Sequence, residues 1–122
     1  MKKFKNWSTF SSLILLSYSC TKDKVVDKPL NCETNVTYIT DIKPIIDNSC
    51  AYSGCHVSSF SNGNYTSYNT LKNALLSGTF EKWVLRDRAM PPADAPTGKP
   101  KTLTEAEIEL ITCWKDNGYA EK

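Results

Sequence analysis

The chain has 122 residues, with 15 Lys and Arg against 13 Asp and Glu, for a formal net charge of +2. That length holds one small domain and a tail. Lys2, Lys3 and Lys5 crowd the start, and without them 12 basic residues face 13 acidic ones, so no basic patch remains to argue for a nucleic-acid partner.

Residues 1–19 differ in kind from the rest of the chain. The three lysines precede a short apolar stretch, "FSSLILLSY" (10–18), and small Ser19 stands before Cys20. This is the layout of a secretory signal, whose apolar part is too short to span a bilayer as a mature helix. It resembles a bacterial lipoprotein signal, which implies that Cys20 becomes a lipid-modified first residue held at a membrane. "TKDKVVDKP" (21–29) is charged, poor in large side chains and closed by a proline. Residues 20–31 therefore read as the lipidated cysteine and a flexible tether, too polar to order themselves. The Lys22-Asp23 pair resembles the surface-export signals of Bacteroidetes lipoproteins, which implies an outer membrane.

Beyond the tether lie four short helical patterns and no convincing strand, so the fold class expected for 32–122 is all-α. "TDIKPIIDNSC" (40–50) sets Ile42, Ile45 and Ile46 at helical spacing, and Pro44 is tolerable only in a first turn. "TSYNTLKNALLSG" (66–78) puts Tyr68, Leu71, Ala74 and Leu75 on one face, with Thr66 or Ser67 as cap and Gly78 as stop. "FEKWVLRD" (80–87) spaces Phe80, Trp83 and Val84 similarly. "MPPADAPTGKPK" (90–101), with four prolines and a glycine, admits no regular element and reads as a rigid loop. In "LTEAEIELITCWKDNG" (103–118), Thr104 and Glu107 form a capping box, and Leu103 and Ile108 are placed to staple the first turn. Leu110, Ile111 and Trp114 continue the apolar stripe to Gly118.

Export implies an oxidising compartment, in which thiols seldom stay free. With Cys20 assigned to lipid, Cys32, Cys50, Cys55 and Cys113 remain, and two plain disulfides among them allow three connectivities. "NSCAYSGCH" (48–56) brings two of the four beside His56, the only histidine of the chain. Cys-x-x-Cys-His is the attachment signature of a c-type haem. Here four residues separate the cysteines, and Tyr52 stands where the first is usual. Either the haem site is stretched, with Gly54 easing the turn, or the cluster belongs to a disulfide-bonded exported protein. A disulfide has no need of the histidine.

From about Tyr38 to Tyr119, some two thirds of the chain, the sequence resembles a small monohaem cytochrome c domain of the sort found in lipoproteins of Bacteroidetes. The marks are "DIKPII", "CAYSGCH", "YNTLKNAL", "AMPP" and "LTEAEIELITCWKDNGY", in that order. The resemblance implies a cytochrome c-like bundle of about four short helices around a haem. It implies thioethers to Cys50 and Cys55, His56 as proximal iron ligand and Met90 as distal ligand. Neutral imidazole and thioether sulfur suit that metal. It leaves Cys32 and Cys113 to pair as a structural disulfide, since the first and last helices of such domains pack together.

His56 is the only histidine, and Met90 the only methionine besides Met1, so a bis-histidine site within one chain is impossible. Trp83 and Tyr68 are candidates to line the haem crevice. Arg86, Arg88 and Lys99 are candidates either for its carboxylates or for a solvated surface. The function expected is that of a membrane-tethered electron carrier, not an enzyme, whose partner is another redox protein. The competing reading is a haem-free, disulfide-linked lipoprotein serving as an interaction module. An iron without Met90 as ligand would instead leave a site open to a small ligand.

Overall fold

The computed structural model describes Cys32 and residues 35–122. The expected signal (1–19), the lipid-bearing Cys20 and the tether up to residue 31 lie outside the described residues.

Among the described residues the domain is all-α, with no strand. A π-helical turn, Tyr38–Ile42, leads without a break into α1 (Lys43–Ser49). Then come α2 (Tyr68–Leu76), a second π-helical segment, Glu81–Arg86, and α3 (Glu105–Asp116). None of these helices is long and apolar enough to cross a membrane.

The first element starts at Thr37, whose hydroxyl accepts the Thr40 N–H, while the Asp41 carboxylate takes the Thr37 N–H at 2.8 Å. Pro44 is the second residue of α1 and brings no N–H to the ladder that continues from the turn before it. The turn before it is wider than an α-helix: the Ile42 N–H reaches back to the Thr37 carbonyl and the Lys43 N–H to that of Tyr38. Ile42, Ile45 and Ile46 all turn inward and are buried.

Capping decides the other helices. Ser67 and Thr70 cap α2 reciprocally, and Gly78 follows its end at φ +77°. Thr104 and Glu107 do the same for α3, with Leu103 and Ile108 both buried across its first turn. Helix α3 lies against Tyr38–Ile42, and the Tyr38 N–H donates to the Ala120 carbonyl at 2.9 Å, so the start of the domain is stitched to its end.

Trp114 and Ile111 of α3 are fully buried with Ile42, Ile46 and Leu71, and Phe80 is nearly so. Each such side chain stabilises by roughly 1.5–3 kcal/mol. Cys32 and Cys113 form a disulfide across this same face, with Cα atoms 5.1 Å apart.

Candidate functional site

Helix α1 ends at Cys50, which is the C-cap residue and is buried. The chain then makes a closed excursion: the Cys50 carbonyl accepts the His56 N–H at 3.0 Å, and within it the Tyr52 carbonyl accepts the Cys55 N–H at 2.9 Å. Gly54 makes that inner turn possible at φ +86°, a conformation that side chains with a Cβ disfavour. The two additional residues of the Cys-x4-Cys-His run are thereby absorbed in a turn, and both thiols front the same cavity.

That cavity has a volume of about 430 Å³, within the range of small-molecule and cofactor sites. Cys50, Cys55 and His56 form one side of its lining, and Trp83, Met90, Pro91 and Pro92 contribute from the later segments. The sequence-predicted residues Cys50, Cys55, His56 and Met90 are thus gathered in one place. Trp83 also lines it. Tyr68 does not: it packs on Trp114, and its hydroxyl donates to the Tyr119 carbonyl at 2.8 Å.

His56 is held by its own loop. Its Nδ1 lies 3.0 Å from the Gly63 carbonyl oxygen. A carbonyl can only accept, so Nδ1 carries the proton and Nε2 keeps a free lone pair. An imidazole whose far nitrogen is engaged by a backbone carbonyl is the usual arrangement of a metal-binding histidine. Burial lowers the His56 pKa from its ordinary 6.5, and the Gly63 bond works against that shift; the net effect favours the neutral ring a metal needs. The Cys50 thiol is pushed up to about 12 by burial, with Cys55 adding to the effect, so it stays protonated near neutrality. Beside Cys55 the Tyr52 phenol is raised to about 12, first through its hydrogen bond to that thiol and then through desolvation. Lys99 sets its ammonium 4.5 Å from the Tyr52 ring centre.

Met90 is positioned from behind. The Trp83 carbonyl accepts both the Ala89 N–H (2.9 Å) and the Met90 N–H (3.2 Å), and Pro91 is buried. Arg88, at φ +52°, ties the loop down by pairing with Glu105 at 3.2 Å and donating to the Leu85 carbonyl. Arg86 pairs with Asp87, so both arginines have protein partners. Met90 and Trp83 are 38% and 45% exposed, and both line the cavity, so this wall is where it meets solvent.

Among the described residues no Asp, Glu, Lys or Arg lines the cavity. Among the described residues no group of three or more His, Cys, Asp or Glu side chains is placed to hold a bare metal ion. The lining brings together two free cysteines, one histidine and one methionine, a set compatible with a metal that brings most of its ligands with it in an apolar macrocycle. Ser49 is also in the lining, and its hydroxyl is buried without a hydrogen-bond partner.

Four contributors were not foreseen from the sequence: Ser49, Phe60, Gly63 and Tyr65. Gly63 acts through its carbonyl, which no residue type announces. The only signal near it was the turn-rich "SNGN" run. Comparisons with protein families, with curated proteins and with solved structures found no match.

Proposed function

We propose that residues 32–122 form a monohaem c-type cytochrome domain with a cytochrome c-like bundle, and that it carries single electrons. The observation that carries this reading is the convergence, on one apolar cavity, of Cys50, Cys55, the only histidine and the only methionine after Met1, with His56 Nε2 left free by the Gly63 bond. Bound there, a haem iron supplies a one-electron couple between its ferric and ferrous forms. Cys50 and Cys55 would each add sulfur and hydrogen across one vinyl group, forming a thioether with no atom lost. His56 Nε2 would be the proximal ligand. The Met90 sulfur would be the distal one, favouring the reduced metal over what a harder ligand allows. With His56 and Met90 both holding the iron, no position on it would remain for a substrate, which argues for a carrier and against an enzyme.

In the same reading the chain is exported, Cys20 bears the lipid, and 21–31 tethers the domain at a cell-envelope membrane, where another redox protein exchanges electrons with it. The test is expression of the full chain together with a bacterial c-type haem attachment system. Haem is expected to remain on the denatured protein in a gel and to vanish in the variant with both Cys50→Ala and Cys55→Ala. A colourless parent, or undiminished staining of the variant, would overturn the assignment; a colourless parent would favour the haem-free interaction module. A pyridine haemochrome spectrum shifted as for one unreacted vinyl would show that Cys50 is unattached.

A further inference from the structure

His56 is gripped by more than its hydrogen bond. The Tyr65 ring lies parallel to the imidazole, with centroids 4.1 Å apart and an interplanar angle of 10°, and Phe60 meets it edge-on at 5.0 Å. Tyr65 is itself immobilised: it is buried, its N–H donates to the His56 carbonyl at 3.0 Å, and Phe80 packs on its ring at 5.6 Å. Gly63 closes the arrangement. It stands at φ +111°, and a Cβ there would approach Tyr65 Cε1 to 3.1 Å, so the residue that supplies the carbonyl is also the one that lets the tyrosine ring lie flat.

We propose that Tyr65 is a positioning residue for His56, fixing the plane of the imidazole by stacking while Gly63 fixes its rotation. The inference rests on the haem reading, but its geometry belongs to the chain alone. A hydrogen bond at one nitrogen leaves the ring free to tilt about the Nδ1–O line. A flat surface at stacking distance removes that freedom. The hydroxyl of Tyr65 plays no part, so the contribution is one of shape and survives in phenylalanine. An aromatic pair of this kind contributes roughly a two- to tenfold bias in an equilibrium.

The consequence is readable without any activity. In a low-spin ferric haem the plane of the axial imidazole governs how unpaired spin is shared among the ring substituents. Tyr65→Leu is therefore expected to change the order or spread of the four haem-methyl NMR shifts and the largest g value, and Tyr65→Phe to leave both as in the parent. A general loss of packing would affect Phe and Leu in proportion to stability alone, so unfolding curves are recorded alongside. Identical spectra for Leu and the parent would overturn the proposal, as would equal disturbance by Phe and Leu. Gly63→Ala supplies a second arm: its effect should shrink in the Tyr65→Leu background, because the ring its methyl would strike is gone.

Should the parent hold no haem, the haem reading fails and the clamp is still testable. Carbon-13 relaxation of the His56 ring CH groups in the haem-free chain is expected to show a rigid ring in the parent and in Tyr65→Phe, and a more mobile ring in Tyr65→Leu, with the proton still on Nδ1 in all three. Unchanged ring mobility in the leucine variant would refute the clamp.

Discussion

Around α3 the rings of Tyr38, Tyr68, Trp114 and Tyr119 pack against one another with centroids 5.2–6.2 Å apart, while His56, Phe60, Tyr65 and Phe80 gather beside the cavity. The first group is filled by its own atoms. Trp114 Nε1–H donates to the Ala120 carbonyl at 2.8 Å, and Lys72 reaches the Tyr68 hydroxyl, while the Tyr38 hydroxyl is buried without a partner. The second group lies beside the cavity that His56, Met90 and Ser49 help to line. A domain this small has little interior to share. It places its cross-link and its largest buried ring on one side, and keeps a cavity on the other. Stability and binding should therefore respond to different substitutions.

The largest expected effect falls on the filled side. Trp114→Ala should lower unfolding free energy by roughly 3–5 kcal/mol in a denaturant titration, with or without haem. A loss below about 1 kcal/mol would erase the distinction between the two sides. Opening the cross-link with Cys32→Ala and Cys113→Ala together comes next. For cysteines 81 residues apart the chain-entropy view gives roughly 4.5 kcal/mol as an upper figure, and a measured loss of about 2–4 is expected. Haem attachment under native conditions should persist, and its disappearance in folded protein would mean that the two sides are coupled.

On the open side, Met90→Ala should shift unfolding by under about 1 kcal/mol, because the side chain is 38% exposed. Its mark should instead be a lower reduction potential and new binding of carbon monoxide to the ferrous protein. A potential and spectrum equal to the parent's would show Met90 to be a loop residue only.

The smallest effect is one of pH. Because burial holds His56 below 6.5, the unfolded chain binds more protons than the folded one as pH falls through that value. The haem-free domain should thus lose stability from pH 6.5 downward until folded His56 also protonates, with no contribution from this group to the slope above 6.5. His56→Gln should flatten the curve over this range. Asp87, depressed by its bonds to Lys82 and Arg86, acts in a separate window, losing its contribution as pH drops through and below its ordinary 3.8.

Much of this architecture was legible where one residue type has one local use. The Thr104–Glu107 box, the Leu103–Ile108 staple and the Gly118 stop mark α3 in the sequence, and the helix runs Glu105–Asp116 with Gly118 at φ +85°. Ser67 proves to be the cap of α2, with Thr70 as its reciprocal partner, a pairing of hydroxyls that lacks the usual Glu or Gln. The segment around Trp83 was harder. Phe80 and Val84 are buried as their spacing predicts, but Glu81–Arg86 winds as a π-helix, and of the two aromatic residues named as candidate lining, Trp83 lines the cavity and Tyr68 does not. An apolar stripe does not tell a filled core from the wall of a binding space. Cys50, Cys55, His56 and Met90 could be named because cysteine, histidine and methionine carry their chemistry in the side chain. The grip on His56 could not, because half of it is the Gly63 backbone carbonyl.

The loop that grips His56 is also local in sequence. Its hydrogen bond spans seven residues from His56 to Gly63, and its stacking partner lies two residues later. The Tyr38–Ala120 bond, by contrast, joins opposite ends of the described chain. Closing a short loop costs far less chain entropy than closing a long one, and contacts distant in sequence slow folding. The contacts that orient His56 therefore carry a smaller chain-closure cost than those that join Tyr38 and Trp114 to the terminal segment.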